Sequence, residues 1–477
     1  MKAKNCFLIV SVIAMLNGSP AQADDKEAVA AAIDQTYERN REIALKIFEY
    51  AEVGYQETRS SALLQQTLAD SGFEIDSGVA GIPTAFVASA GNGGPVVAFL
   101  AEFDALPGIS QITAPYRQLA ENKTAGHACG HHLLGTGSVA AAIAVREWLK
   151  QTGTKGTIRV YGTPAEEGGS GKVYMVRAGL FDDVDGVLSW HPSDHNGADA
   201  NSNLANRSAR FRFRGISAHA AAAPEKARSA LDGVEAFNYM VNLMREHVPQ
   251  ETRIHYVITD GGKAPNVVPD FAEVYYYVRH PDARTLQDLW QRVEKAAHAA
   301  ADGTETHVES EIMHGNHSLL PNKTLTGLMQ ENLGRVGGVQ YSTAERSFAE
   351  SLYETLNNPD YTLGSESEIQ PPKNEMHMGS TDVGDVSWNV PTAGLRAATW
   401  VPGTSAHSWQ AIASGGTEIG IKGLQVAAKV LAMTAMDLYL ESAHLDAARQ
   451  ELLESRGKDF MYVPLLGDRD PPLDYRK

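Results

Sequence analysis

The chain has 477 residues, a formal net charge of −17 and 43% hydrophobic residues. The excess of acidic residues argues against nucleic acid and anionic membranes as partners, because both would repel the protein. A chain of this length is too long for one hydrophobic core, so we expect two domains.

The first 23 residues predict an export signal. Two lysines within the first five residues precede an apolar run over 7–16, and the tripeptide AQA at 21–23 provides a small-residue cleavage site. An apolar run of this length is too short to cross a bilayer, which needs about 20 residues. We therefore expect cleavage after Ala23, a periplasmic or secreted protein, and no membrane contact after cleavage. The alternative is an uncleaved membrane anchor.

Signal cleavage would leave Cys129 as the single cysteine, because the other one, Cys6, lies in the predicted signal. Exported proteins normally pair their cysteines, and this thiol has no partner within the mature chain. A bound metal ion would occupy it. The alternative is an inert buried cysteine, but its neighbours in the sequence HACGHH are histidines, glycine and alanine.

The first part of the chain predicts an α/β layer fold. Continuous apolar runs predict strands that are covered on both faces, and segments with helical periodicity separate them. Strands that alternate with helices are typical of this class. In chain order the predicted elements are helix 27–52, helix 59–71, strand 73–75, strand 96–100, helix 133–149, strand 157–161 and strand 185–190.

From residue 208 the pattern changes to that of a small inserted domain. Period-2 alternation over 209–214 predicts a half-exposed strand. The next predicted elements are helix 228–246, strand 253–259, strand 272–278, helix 285–301 and strand 306–312. This βαββαβ order predicts a four-stranded antiparallel sheet with both helices on one face. Helix–strand alternation resumes after Asn322, and the tail after Pro464 predicts irregular structure.

Metal-capable side chains recur beside the carboxyl ends of the predicted strands, where open α/β sheets place their sites. A further histidine lies in a distant loop that could return to the same crevice. The residues are Cys129, His131, Glu166, Glu167, His191 and His407. Taken singly, the glutamate pair and the distant histidine are better explained as solvated or structural. Their coincidence with an unpaired cysteine indicates a metal centre.

The mixture of ligand types indicates which ions and which reaction to expect. Thiolate, imidazole and carboxylate together suit Zn²⁺ or Mn²⁺ better than Ca²⁺ or Mg²⁺. Five candidate ligands exceed the four that a tetrahedral ion needs, so we expect two ions that share a bridge. One of two adjacent glutamates could bind metal while the other takes a proton from water and delivers it to a leaving amine. The residues therefore favour metal-dependent amide hydrolysis.

Eight ordered motifs, spread over nearly the whole mature chain, resemble those of the amidohydrolase branch of the aminoacylase and glutamate-carboxypeptidase family. They are AEFDALPG (101–108), HACGHHLLGTGSVAAA (127–142), GTPAEEGGSGK (162–172), SWHP (189–192), SAHAAAAPEKARSALDGVE (217–235), PNVVP (265–269), MGSTDVGDVSW (378–388) and SAHSW (405–409). The resemblance implies an α/β/α metallo-hydrolase catalytic domain in two parts, interrupted by an α+β lid domain through which two copies dimerise. The implied ranges are 1–23 for the signal peptide, 24–206 and 322–477 for the catalytic domain, and 207–321 for the lid.

The resemblance also implies roles for single residues. Glu166 would be the general base and acid. Two divalent ions, Zn or Mn, would be bound by Cys129, His131, Glu167, His191 and His407.

Three lid residues receive roles in the same way. His219 would reach the active site of the other subunit and polarise the scissile carbonyl, while Asn266 and Arg279 would contact the carboxylate end of the substrate. Two positions depart from the family pattern. Glu102 stands where other branches have a histidine ligand, and His132 stands where related chains often have Asp or Asn, so the roles of both stay open.

The main prediction is an exported, homodimeric metallo-amidohydrolase that cleaves an N-acyl or N-aroyl amino acid, such as an aroyl-glutamate. A dipeptidase or general aminoacylase on the same scaffold is the nearest alternative. Two further classes are a non-catalytic metal or ligand-binding protein, which would have no need of the second glutamate, and a subunit that works only with an unlike partner.

Overall fold

The computed structural model describes the backbone of residues 20–476 and the side chains from residue 25 onward. The predicted signal peptide lies outside the described residues, apart from the backbone of 20–23, which forms the start of the first helix. The helices are α1 (Pro20–Gln35), α2 (Tyr37–Tyr50), α3 (Thr58–Asp70), α4 (His131–Thr152), α5 (Gly171–Arg177), α6 (Ala230–Met244), α7 (Ala283–Gly303), α8 (Lys323–Val336), α9 (Thr343–Tyr353), α10 (Val383–Ser387), α11 (Trp409–Gly415), α12 (Glu418–Leu440) and α13 (Ala443–Arg456).

The strands of the same part of the chain form two main sheets and one short two-stranded sheet. They are β1 (Glu74–Ser77), β2 (Phe86–Asn92), β3 (Val96–Ala101), β4 (Leu106–Pro107), β5 (Ala125–Gly126), β6 (Gly156–Gly162), β7 (Gly186–Ser193), β8 (Gly197–Asp199), β9 (Ala205–Arg214), β10 (Arg253–Asp260), β11 (Phe271–His280), β12 (His307–Asn316) and β13 (Thr392–Ala398).

The larger sheet has seven strands in the order β1-β2-β6-β3-β7-β13-β8. Its four central strands, β6, β3, β7 and β13, run parallel, and the pairs at the two edges are antiparallel. Alternate residues of β3 enter different hydrophobic clusters, because successive side chains of a strand point to opposite faces. Val97 and Phe99 pack with α4 and α12, whereas Ala98 and Leu100 pack with α5 and α10. This sheet therefore forms the middle layer of an α/β/α fold, as predicted.

The smaller sheet has the order β10-β11-β9-β12 and is antiparallel throughout. Its apolar face carries α6 and α7, and the aromatic side chains of Phe211, Phe237 and Trp290 fill the space between sheet and helices. The chain order is βαββαβ, which confirms the predicted arrangement. The predicted boundaries of the lid at 207 and 321 stay predictions.

Three elements differ from expectation. The predicted helix 27–52 is two helices, because at Thr36 the hydroxyl bonds back to the Ile33 carbonyl at 2.9 Å and the backbone leaves the helical region. Strand β2 was not predicted, since its alanine, serine and glycine residues carry little strand propensity. His191 lies within β7, near its carboxyl end, rather than after it.

Among the described residues, α12 is long and apolar enough to cross a membrane by length and composition. However, 89% of its apolar window is buried inside the protein, where it packs against α4 and the larger sheet. It is therefore a core helix.

The C-terminal tail (457–476) is irregular, as predicted, but it packs closely on the rest of the chain. Leu465 enters the core of the smaller sheet and Leu466 enters a core beside the larger one. Farther along, the Tyr475 hydroxyl and the Arg476 guanidinium donate hydrogen bonds to the backbone carbonyl of Glu167, at 3.1 and 2.7 Å. The tail thus contacts both sheet layers and ends against a predicted metal-binding residue.

Candidate metal centre

The four central strands of the larger sheet are parallel, so their carboxyl ends meet at one edge, which is where open α/β sheets place their sites. Glu102 follows β3 directly, the glutamate pair follows β6, and His191 lies near the end of β7. The loop after β13 carries His407, whose backbone N–H bonds to the Ala128 carbonyl at 2.9 Å. The fold therefore returns the distant histidine to the crevice, as predicted.

The amino end of α4 supplies Cys129 and His131. Gly130, between them, has a φ of +77°, and a side chain there would approach Pro192 to 2.7 Å, so this turn requires glycine. The amide groups at a helix amino terminus favour a negative charge, which stabilises a thiolate at Cys129.

The predicted ligands form two donor clusters, in each of which the ligand atoms lie within 4.8 Å of one another. In the first, Cys129, His131 and His191 come together, with Cys129 Sγ 3.3 Å from His191 Nε2. In the second, Cys129, Glu167 and His407 come together, with His407 Nε2 3.1 Å from Glu167 Oε1. All five predicted ligands are therefore gathered at one place, and Cys129 belongs to both clusters.

Hydrogen bonds behind the clusters orient the imidazoles. His131 Nδ1 donates to Asp104 Oδ1 at 2.9 Å, and His191 Nδ1 donates to the Pro192 carbonyl at 2.7 Å, which leaves Nε2 of both rings free as an electron-pair donor. The other oxygen of Asp104 accepts the backbone N–H of Glu167 at 2.9 Å. Such partners fix the tautomer and direction of metal-binding histidines. Asp104 therefore positions two ligands at once.

Charge and burial in this crevice fit a divalent cation. Burial and the negative charge of Glu167 raise the pKa of the Cys129 thiol, and a bound cation acts in the opposite direction, because a coordinating thiol is deprotonated. Three buried atoms have no hydrogen-bond partner among the described residues, namely Glu102 Oε2, His131 Nε2 and Glu167 Oε1. Buried polar atoms are normally paired. All three belong to side chains of the donor clusters, so the residues present fit metal ions.

Glu166 stands beside this donor set. Its side chain lines the cavity, and burial together with the charges of Glu102 and Glu167 raises its pKa well above the ordinary value of a glutamate. Ala165, the residue before it, has a φ of +58°, and His407 has a φ of +60°. Non-glycine residues seldom adopt this region, and such strain is concentrated at functional sites.

A cavity of about 240 Å³ extends from the donor clusters. Away from them its wall is polar and includes Asn201, Asn203 and Arg396. Arg396 lies on β13 in register with His191 on β7, and its Nε donates to Asp199 Oδ2 at 3.0 Å. The cavity is thus large enough for a small molecule that contacts the donor clusters at one end and a guanidinium at the other.

The lid residues do not meet the donor clusters within one subunit. His219 is exposed, and its Nδ1 accepts the backbone N–H groups of Ala221 and Ala222, each at 3.2 Å. Asn266 is exposed beside it, and Arg279 contacts the Met378 carbonyl at 3.5 Å. The cavity-lining residues include none of the three, so their predicted roles need a second copy of the chain or a movement of the lid.

His132 faces away from the donor clusters. Its Nε2 donates to the Gly415 carbonyl at 3.0 Å, and its ring lies against Phe48 and His127 at centroid distances of 5.0 and 4.8 Å. Burial lowers its pKa to about 3, so the ring is neutral. His132 therefore ties α4 to α11 and does not belong to the donor set.

Sequence reasoning missed a buried ion-pair network beside the metal ligands. Lys172 is fully buried, and its Nζ lies 2.7 Å from Glu102 Oε1 and 2.7 Å from Asp382 Oδ1. Asp382 Oδ2 also accepts the backbone N–H of Lys172 at 2.9 Å. The position of Asp382 in the motif MGSTDVGDVSW was a signal, but nothing marked Lys172, since lysines are almost never fully buried.

Comparisons with known proteins agree with this geometry. The family model described as peptidase family M20/M25/M40 matches residues 98–433. The chain is 41% identical to the larger-numbered of two similar subunits, the B chain of p-aminobenzoyl-glutamate hydrolase of Escherichia coli (strain K12), over 88% of this chain and 93% of that protein. It is 32% identical to Xaa-Arg dipeptidase of Mus musculus, over 89% of this chain and 91% of that protein.

A solved structure shares the fold at lower identity. It is a Bacillus subtilis protein described as a dinuclear metal binding peptidase from the M20 family, with a TM-score of 0.58 and 17% identity, covering 85% of this chain and 99% of that chain. The predicted resemblance, the predicted fold class and the prediction of an enzyme are confirmed. The chain belongs to peptidase family M20/M25/M40 and is a hydrolase of amide bonds.

Proposed function

We propose that this protein is an exported, two-metal amidohydrolase that cleaves the amide bond of N-acyl or N-aroyl amino acids, with p-aminobenzoyl-glutamate as the first candidate substrate. The observation that carries the proposal is the free carboxylate of Glu166 beside two donor clusters that share Cys129. A protein that only bound metal would have no need of this carboxylate.

Each part of the site has a task in amide hydrolysis. Bound Zn²⁺ or Mn²⁺ ions lower the pKa of a coordinated water and polarise a carbonyl. Cys129, His131 and His191 would hold one ion, and Cys129, Glu167 and His407 the other. The Glu166 carboxylate takes the proton of the attacking water and delivers it to the leaving nitrogen. Its raised pKa suits both transfers, because a proton carrier works best near the ambient pH.

The far wall of the cavity supports a substrate with a carboxylate. The Arg396 side chain is 35% exposed, and its Nη atoms make no hydrogen bond within the described part of the chain. An arginine with free Nη groups is suited to bind a carboxylate in two-pronged fashion. The 41% identical relative is named for a substrate that ends in glutamate, which agrees with this chemistry.

A dipeptidase is the second candidate, because Asp199 lines the same cavity. A carboxylate there offers a partner to a cationic side chain, and the 32% identical relative is named as an Xaa-Arg dipeptidase. The 41% identical relative is named as one subunit of its enzyme, which keeps an unlike partner as an alternative to the homodimer.

The lid surface supports the homodimer. Large apolar side chains are exposed on α6 and on the edge strand β10, and scattered single residues would not form such a group. They are Tyr239, Met240, Leu243, Val257 and Ile258. Pairing of two copies at this edge would cover them and would present His219 of each copy to the other active site. Export rests on residues 1–23 alone.

The test is metal analysis of the purified protein, followed by a hydrolysis screen. We expect two divalent ions per chain and turnover of p-aminobenzoyl-glutamate above that of dipeptides with arginine. Glu166→Gln is the matched control, since it should keep the ions and lose turnover. A wild-type protein that binds no divalent ion, or that hydrolyses no N-acyl amino acid or dipeptide when loaded, would exclude the proposed function.

A further inference from the structure

Glu102 has one satisfied oxygen and one unsatisfied oxygen. The side chain follows β3 and is 2% exposed. Its Oε1 accepts the Lys172 ammonium at 2.7 Å, but its Oε2 has no hydrogen-bond partner among the described residues. A buried carboxylate oxygen without a partner costs free energy, so this oxygen requires a cation or a proton.

The atom nearest to this oxygen is also an electron-pair donor. Glu102 Oε2 lies 3.2 Å from His131 Nε2, and the proton of the neutral His131 ring sits on Nδ1, which donates to Asp104. Two lone pairs would therefore face each other across 3.2 Å. This arrangement is stable only when a positive charge lies between or beside the two atoms.

The geometry of this pair matches two ligands of one ion. Metal–nitrogen and metal–oxygen bonds of about 2.0–2.2 Å place neighbouring donors roughly 3.0–3.5 Å apart. Glu102, His131 and Glu166 also form a third donor cluster, with ligand atoms within 4.8 Å of one another. Glu102 lines the same cavity as Cys129.

We propose that Glu102 is a further metal ligand, whose Oε2 joins His131 Nε2 on the ion that Cys129, His131 and His191 hold. The inference rests on the proposed two-metal function. It gives the site a third anionic ligand besides Cys129 and Glu167, which offsets more of the positive charge of the two ions.

Lys172 fixes this ligand from behind. Its ammonium holds Oε1 of Glu102, so one oxygen is engaged and the other is turned towards the ion. Asp382 in turn holds both the ammonium and the backbone N–H of Lys172. Lys172 and Asp382 are therefore positioning residues, and Glu102 alone of the three belongs to a donor cluster among the described residues.

This arrangement provides a matched pair of variants. Glu102→Gln leaves Lys172 paired with Asp382, and Asp382→Asn leaves Lys172 paired with Glu102. Each variant removes one negative charge from the same lysine and retains one ion pair, so both should fold. Far-UV circular dichroism and the thermal midpoint check this. The two variants differ in whether the lost carboxylate faces the donor cluster.

The experiment is a titration of metal-free protein with Zn²⁺ against a chromophoric chelator. We expect two ions in the wild type, and at least about tenfold weaker binding of one of them in Glu102→Gln, because even outer partners of metal ligands are worth 10–100-fold. Asp382→Asn should lose less than Glu102→Gln. Equal affinities in Glu102→Gln and wild type, or equal losses in the two variants, would overturn the assignment of Glu102 as a ligand.

A measurement on the wild type does not depend on either variant. In a crystal structure with Mn²⁺ bound, we expect Glu102 Oε2 at bonding distance from an ion, and a separation beyond about 3 Å would refute ligation. The titration also separates the two proposals. A wild-type protein without ions refutes the proposed function and this inference together, whereas two ions in both wild type and Glu102→Gln, bound with equal affinity, refute only this inference.

Discussion

Replacement of Lys172 by methionine should destabilise the metal-free protein severely. Methionine has a similar length, but it leaves Glu102 and Asp382, which are 2% and 1% exposed, without their cation. Removal of one partner from a buried ion pair costs about 3–5 kcal/mol, and here one lysine serves two carboxylates, so we expect about 5 kcal/mol. Folded proteins have only about 5–15 kcal/mol of net stability. This single change should therefore remove a third or more of it.

The assay is urea unfolding followed by tryptophan fluorescence at pH 7.5, in the presence of a chelator so that bound metal does not stabilise Glu102. Lys150→Met is the control, because Lys150 is exposed at the end of α4, and it should leave the midpoint unchanged. A Lys172→Met midpoint equal to that of the control would refute the reasoning.

The loss should also depend on pH. Burial raises the pKa of Asp382 to about 6, although Lys172 lowers it, so removal of Lys172 raises this pKa further above the unfolded value near 3.9. A group with a raised folded pKa stabilises the fold when protonated, and this stabilisation disappears as the pH rises through the folded pKa. The difference between Lys172→Met and wild type should therefore be larger at pH 8 than at pH 5. A difference that grows towards acid would contradict this sign.

Three other changes test the remaining parts of the site. Glu166→Gln should lower kcat by about 10²-fold or more with the metal content unchanged, and retention of more than about a tenth of the activity would contradict its assignment as the proton carrier. Cys129→Ser should lower the metal content, and the wild-type thiol should react with thiol reagents only after a chelator is added; equal thiol titres with and without chelator would exclude Cys129 as a ligand. A mixture of inactive His219→Ala and Glu166→Gln proteins should regain activity in hybrid dimers, since His219 would then act across the dimer interface. If a tagged pull-down shows that the hybrids form but they stay inactive, His219 does not act in the other copy.

The donor set could be predicted because each of its residue types carries a chemical signal of its own. A lone cysteine between histidines and a histidine near a strand end stand out before any fold is known, and the parallel order of the strands then predicts that they meet. Glu102 and Lys172 give no such signal. Their meaning arises only when the fold places a buried lysine between carboxylates that are 70 and 210 residues away in the chain.

The fold shows the same division. The strands of the smaller sheet alternate regularly, so their order was predictable from residue types alone. The break at Thr36 depends on one hydroxyl bond, and strand β2 depends on pairing with β1 and β6 on either side rather than on its own composition. The register that sets Arg396 beside His191 joins strands about 200 residues apart. Local patterns do not contain this information.

The C-terminal tail has a consequence for the time at which the enzyme becomes complete. The Glu167 carbonyl receives its hydrogen bonds from residues that follow it by 308 and 309 positions, and contacts of such long sequence separation form late in folding. A nascent chain therefore cannot finish the loop of Glu166 and Glu167 until Tyr475 and Arg476 have left the ribosome. In this way the onset of activity is tied to the completion of synthesis.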